Sequence, residues 1–213
     1  VDTSNEWILE RTGIRERHVA AEHEASSDMA SEAARRAIKA AGLTAKDIDL
    51  IIVSTVTPDM PLPATAMFVQ QNIGARPDCP GFDLSAACAG FIYGLSLADS
   101  LVKSGGARYV LLIGVELLTR VMNWKDRTTC VLFGDGAGAV VLEASEKPGI
   151  LVTAMHADGS QNGILNVPGQ ICGGQVTGDP FLRMDGQAVF KFAVRVLADI
   201  AEEVCKTAGI KTT

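Results

Sequence analysis

A chain of 213 residues, 47% of them hydrophobic, can bury one substantial core or two smaller packed ones. The formal charge of −6 and a pI near 5.1 argue against nucleic acid as the main partner, and the acidic residues are dispersed. Five widely spaced cysteines (Cys79, Cys88, Cys130, Cys172, Cys205) without a CxxC pair exclude a disulfide framework and a zinc site, and no apolar run or leader suggests a membrane span or signal peptide. A cytoplasmic protein without a metal is the expectation.

The chain opens on VDTSNEWILERTGIRER rather than on Met, and it closes on Lys211-Thr212-Thr213 after a helix-like segment; both ends read as cut. Ser27 caps a predicted helix running to about Ala41, with Met29, Ala33, Ala37 and Ala41 on one face and Gly42 as its stop. Leu50–Val56 is a nearly continuous apolar run, as in a strand buried on both faces. Pro61 and Pro63 open a predicted helix through Ile73, closed by Gly74. Gly81–Leu84 is a short strand, Ala89–Ser104 a helix stopped by Gly105-Gly106, and Tyr109–Val115 another buried strand. The order βαβαβ predicts an α/β layered domain.

Next comes the stretch Thr129–Leu142. Its FGDGAGA part resembles a dinucleotide fingerprint, but Val140-Val141-Leu142 reads as a strand where that fingerprint requires a helix. The Asp-Gly pair predicts a tight antiparallel turn between two strands, and a nicotinamide or flavin reading is rejected. Gly149–Ala157 is a strand candidate, residues 160–183 are loop-like, and Gly186–Ala208 is a long helix. The ends of the first and last helices, AAGLT and TAGIKT, resemble each other, which suggests a duplicated α/β unit whose second copy stops where its strand should begin. The expected division is residues 1–145 for one half and 146–213 for the start of the second.

Within DLSAACAGF, Cys88 stands among small residues at the start of a predicted helix. Unpaired N–H groups and the helix dipole favour a thiolate there, and small neighbours leave a substrate room to reach the sulfur. That setting suits acyl transfer through a thioester, although a cysteine among alanines also serves as core filler. The other four cysteines read as small buried residues. None of His18, His23 and His156 stands in a recognisable catalytic setting.

DLSAACAGFIYGL resembles the nucleophile segment of the β-ketoacyl-acyl-carrier-protein synthase III family. VDTSNEWILERTGIRER, KDRTT, FGDGAGAVVLEAS, HADGS and MDGQAVFKFAV resemble further segments of that family in the same order. The resemblance implies a thiolase-like fold, two similar α/β halves in five αβαβα layers, with the second half incomplete here. It implies an acyltransferase of fatty-acid synthesis with Cys88 as nucleophile, and a homodimer. Its substrates would be a coenzyme A thioester and malonyl-acyl-carrier protein, with no permanently bound cofactor.

By position, the resemblance assigns Trp7 and Arg127 to a clamp on the adenine of coenzyme A. It assigns Arg11 to a phosphate contact, with Thr3 and Thr128 beside the clamp. It puts Met184, Gly186 and Phe190 on the pantetheine and acyl channel, and Leu62 at the dimer-borne acyl pocket. Indole and guanidinium planes both stack on a base. Read without the resemblance, Trp7 is an aromatic anchor, Arg11 and Arg127 are solvated charges, and Phe190 is helix core. The family's catalytic histidine and asparagine are expected beyond the last helix, and His156 in HADGS is not promoted to that role. The competing readings are a related polyketide, quinolone-type or hydroxymethylglutaryl-CoA synthase, and a chain that binds or self-acylates without condensing.

Overall fold

The structure is a computed structural model in which residues 1–211 are described. In chain order it contains α1 (Asn5–Thr12), α2 (Ser26–Ala40), β1 (Leu50–Ser54), α3 (Thr65–Ile73), β2 (Gly81–Leu84) and α4 (Gly90–Lys103). Then follow β3 (Val110–Leu117), β4 (Asp135–Leu142), β5 (Leu165–Asn166), β6 (Gln170–Cys172), β7 (Gln175–Thr177), β8 (Arg183–Met184) and α5 (Gly186–Ala208). The chain divides into two compact units. One comprises His18–Leu117 and Asp135–Ile150; the other comprises Val1–Arg17, Leu118–Gly134 and Leu151–Thr213.

The first unit is built on a four-stranded sheet in the order β2-β1-β3-β4. β1 pairs in parallel with both β2 and β3, and β4 runs antiparallel to β3. Strand β1 is buried throughout, because helices cover both faces. Side chains alternate across the sheet. Ile51, Val53, Leu111 and Ile113 pack with Ala30, Ala34 and Ile38 of α2 and with Ala66 and Val69 of α3. Leu50, Ile52, Val110 and Leu112 pack with Ala98, Phe91 and Leu95 of α4. The expected βαβαβ order is present.

Some expectations need correction. The helix opened by prolines begins at Thr65, beyond Pro63. Its start is set by Asp83, whose carboxylate accepts the N–H groups of Thr65 (2.6 Å) and Ala66 (2.9 Å), because the N-cap residue Ala64 has no side chain able to do so. Asp135-Gly136 is not a hairpin turn. It begins β4, where Asp135 pairs with Leu117 and Gly136 with Glu116. The Asp135 carboxylate accepts Ala20 N–H at 2.8 Å, and its own N–H donates to His18 O at 2.8 Å, so its hydrogen bonds go to the chain after α1 instead of closing a turn.

Gly149–Ala157 forms no strand; no described segment pairs with it, and a strand needs a ladder partner. Residues 160–183 carry more order than a loop. β6 and β7 make a hairpin around Gly173 and Gly174, both at positive φ, and β5 pairs with β8. Cys79 and Cys130 are buried as expected, but Cys172 is exposed on this solvated hairpin and Cys205 is half-buried. The TAGIKT end that resembles AAGLT runs into Thr212, which lies outside the described residues.

At the end of β3 stands Glu116, whose Oε1 accepts Val56 N–H (3.0 Å) and whose Oε2 accepts the Thr57 hydroxyl (2.8 Å). Thr57 Oγ1 in turn accepts Leu117 N–H at 2.8 Å. Burial pushes the Glu116 carboxyl above its ordinary value, against the lowering effect of these hydrogen bonds.

Two outcomes follow from this packing. Asp83→Ala uncaps α3 from a distance, and chemical denaturation is expected to read a loss of about 1–2 kcal/mol. The folded chain keeps Glu116 protonated to higher pH than the unfolded chain, so it binds more protons in that window, and stability falls as pH rises through it. Glu116→Gln lacks this slope. Its stability relative to the parent is expected to increase from the ordinary glutamate value of about 4.3 upward, measured as denaturation midpoints across pH.

Candidate functional site

In the sheet unit, β2 ends at Leu84, whose carbonyl accepts Thr55 N–H at 3.2 Å. The chain then turns through Ser85 and Ala86 into a single 3₁₀ turn, Ala87–Ala89, that feeds directly into α4. Ala87 has φ of +47°, a left-handed conformation that costs an L-residue about 1–2 kcal/mol. Cys88 follows it and is exposed. It therefore sits where parallel strands end and a 14-residue helix begins. Open α/β sheets bind ligands at this end of their strands. The helix start supplies N–H groups and the positive end of the dipole, both of which favour a sulfur anion and a developing oxyanion.

The approach of α4 to the sheet explains why the turn lies so close. A Cβ at Gly90 would come 2.0 Å from Ser54 Oγ, and one at Gly94 would come 2.4 Å from Leu112 Cδ1. A side chain at either place requires the facing side chain to shift.

Leu62 belongs to the same unit and is 83% exposed, on the segment between β1 and α3. The base of that segment is tied down by Glu116 on Val56 and Thr57, and by Asp59, which accepts both the N–H (2.8 Å) and the hydroxyl (2.6 Å) of Ser27. Glu116 carries no functional motif in the sequence. Its only signal there is a charge directly after an apolar run.

In the other unit, Ser4 caps α1 by accepting Trp7 N–H at 3.2 Å. Trp7 and Ile8 pack on Met122, Cys130 and Val131, which joins α1 to the 122–131 segment. The Arg11 guanidinium lies over the indole of Trp7 at 4.5 Å from its centroid, and that of Arg127 at 5.0 Å. Arg127 also donates to the Asp2 carbonyl at 2.9 Å. The structure thus brings Trp7, Arg11 and Arg127 together. Thr3 Oγ1 is buried with no hydrogen-bond partner among the described residues, and such an atom fits a ligand's polar group. Thr128 is exposed, and its hydroxyl donates to Asp126 at 2.6 Å.

Met184 on β8 is half-buried and pairs with Leu165. Gly186 opens α5, and a Cβ there would lie 3.6 Å from Met184 Cε. Phe190 is 69% exposed, so it does not lie in a helix core. His156 pairs with Glu203 at 2.8 Å, the His18 carbonyl holds the start of β4, and His23 is exposed. Among the described residues, no helix is long and apolar enough to cross a membrane.

A family profile described as 3-oxoacyl-[acyl-carrier-protein] synthase III matches residues 82–159, which include the Cys88 turn. β-Ketoacyl-[acyl-carrier-protein] synthase III of Neisseria meningitidis serogroup C (strain FAM18) is 58% identical over 98% of this chain, and that of Neisseria gonorrhoeae (strain FA 1090) is also 58% identical over 98%. The chain spans about 65% of the length of these relatives. The solved structure of 3-oxoacyl-[acyl-carrier-protein] synthase III from Aquifex aeolicus VF5 matches with a TM-score of 0.91 at 46% identity, covering 99% of this chain and 65% of that one. The priming β-ketosynthase of the R1128 polyketide pathway matches with a TM-score of 0.89 at 39% identity, covering 99% and 64%. With these structures it shares the thiolase-like α/β fold, and by sequence and fold together the chain is similar to the 3-oxoacyl-[acyl-carrier-protein] synthase III family.

Proposed function

We propose that the chain acts as the nucleophile-bearing part of a β-ketoacyl-acyl-carrier-protein synthase III. The observation that carries this reading is Cys88, exposed on a left-handed turn at the head of α4 in a chain 58% identical to synthases of this family. The thiolate of Cys88 attacks the carbonyl of an acyl-CoA, acetyl-CoA in the simplest case. The thioester forms on sulfur, and coenzyme A leaves as its thiol. Condensation with malonyl-acyl-carrier protein then releases CO2 and gives a 3-oxoacyl-carrier protein, the first step of fatty-acid elongation. Trp7 and Arg127 hold the adenine, Arg11 a phosphate, and Thr3 and Thr128 flank them. Met184, Gly186 and Phe190 line the path of the pantetheine. No permanent cofactor is assigned. The protein is placed in the cytoplasm as a homodimer, with residues 1–145 as one thiolase-like half and 146–213 as the start of the other.

A second reading, the priming enzyme of a polyketide pathway, is favoured by the 39% identity to the R1128 ketosynthase. The two differ in the acyl group accepted and not in the use of Cys88.

Incubation with radiolabelled acetyl-CoA is expected to leave label on the Cys88 peptide, and Cys88→Ala is expected to abolish it. A parent chain that takes up no label at Cys88 overturns the proposal. Adding malonyl-carrier protein and assaying for the 3-oxoacyl product separates condensation from self-acylation. Leu62→Phe fills an exposed position at the proposed acyl pocket, and it is expected to reorder acyl-CoA preference several-fold while leaving carrier-protein affinity within about twofold. An unchanged ranking across a panel of short, long and branched acyl-CoAs refutes that role for Leu62.

A further inference from the structure

We infer that Asp126 is a positioning residue for nucleotide binding, acting through Arg127; this rests on the proposed role of Trp7 and Arg127. Asp126 immediately precedes Arg127, and nearly all of its polar atoms serve to fold the segment that presents that arginine. Oδ1 accepts Thr128 N–H (2.9 Å) and the Thr128 hydroxyl (2.6 Å). Oδ2 accepts the hydroxyl of Thr129 (2.8 Å), a residue buried completely. The Asp126 carbonyl accepts Cys130 N–H at 3.0 Å, and its own N–H donates to Asn123 O at 2.9 Å.

Cys130 and Val131 pack on Trp7 and Ile8. The carboxylate therefore fixes the backbone on both sides of Arg127 against the helix that carries the indole. The fixed geometry places the guanidinium 5.0 Å from the Trp7 centroid and 2.9 Å from the Asp2 carbonyl. A long side chain on a loose loop would lose this placement to its own rotamer freedom. Asp126 is not expected to touch the ligand, since its oxygens are already occupied by these donors. The Thr128 hydroxyl is turned inward as donor to Asp126, which leaves its oxygen as an acceptor toward a ligand.

Calorimetric titration of the whole chain with coenzyme A tests the inference, using Asp126→Ala, Asp126→Asn, Arg127→Ala and the double variant Asp126→Ala/Arg127→Ala. Asp126→Ala is expected to weaken binding about tenfold, the scale of one lost charge-assisted hydrogen bond. Asp126→Asn keeps one oxygen acceptor and is expected to fall between. The double variant is expected to bind no more weakly than Arg127→Ala alone, because the effect of Asp126 runs through that side chain. Alkylation of Cys88 by iodoacetamide, a readout independent of coenzyme A, is expected to stay within about twofold in every variant. Multiplicative losses in the double variant, unchanged affinity in Asp126→Ala, or Cys88 alkylation falling in parallel each overturn the inference. A parent chain that alkylates at Cys88 but does not bind coenzyme A removes the underlying clamp reading, and this inference with it.

Discussion

Helix α4 lies so close to the sheet that a side chain at Gly90 or Gly94 would displace the residue facing it. Gly90 faces Ser54 Oγ and Gly94 faces Leu112, four residues apart on one side of the helix. This contact sets how deep the head of α4 sits, and with it the path the chain takes from β2. Only a few residues separate Leu84, held by Thr55 N–H, from Gly90, held against Ser54. The turn between them is tight, and Ala87 takes the left-handed conformation that such a path demands. Strain of this kind persists only where the surroundings over-determine it, and two packed ends provide that here. Cys88 is displayed because of the turn: a thiol one residue past a positive-φ alanine at a helix head is pushed outward instead of folding into the core.

Much of this was readable from the sequence, because it depends on local patterns. The buried strands Leu50–Ser54 and Val110–Leu117 are apolar on both faces, and glycines stop α2, α3 and α5 at positive φ. What escaped depends on partners distant in sequence. The start of α3 is set by Asp83, 18 residues from Thr65, and no pattern around Pro63 reveals that cap. Asp135-Gly136 has the local chemistry of a turn. Its N–H and carboxylate are instead engaged by His18 and Ala20, more than 100 residues earlier. The hairpin at Gly173-Gly174 leaves no periodic mark in the sequence, because its strands are short and exposed on both faces and lack the alternation of a half-buried strand. For the site residues, spacing alone left Trp7, Arg11 and Arg127 as an aromatic anchor and two surface charges. The resemblance to a family grouped them, and the fold places both guanidinium groups over the one indole.

Two carboxylates organise the candidate regions, and they shift in opposite directions for one physical reason. Each accepts hydrogen bonds from threonine hydroxyls and backbone N–H groups. Glu116 sits deep at the end of β3, where loss of water outweighs those bonds and raises its pKa. Asp126 lies nearer the surface, where the bonds win, the Thr128 hydroxyl first among them, and its pKa falls. The stability Asp126 contributes is therefore complete above the ordinary aspartate value of about 3.9 and is lost only as pH drops below it toward the lowered one.

The ionised Asp126 could have neutralised the adjacent arginine, yet it does not. Its oxygens are directed to Thr128 and Thr129, and among the described residues no carboxylate pairs with Arg127. The partners of Arg127 are an indole face and a backbone carbonyl, both neutral. A guanidinium held only by neutral partners keeps its charge for an incoming anion, and it keeps a planar face for a base. In a chain of net charge −6, that local balance matters more than the overall sign. Under the proposed nucleotide role, an anionic ligand would meet at Arg127 a guanidinium whose neighbouring acid is occupied elsewhere.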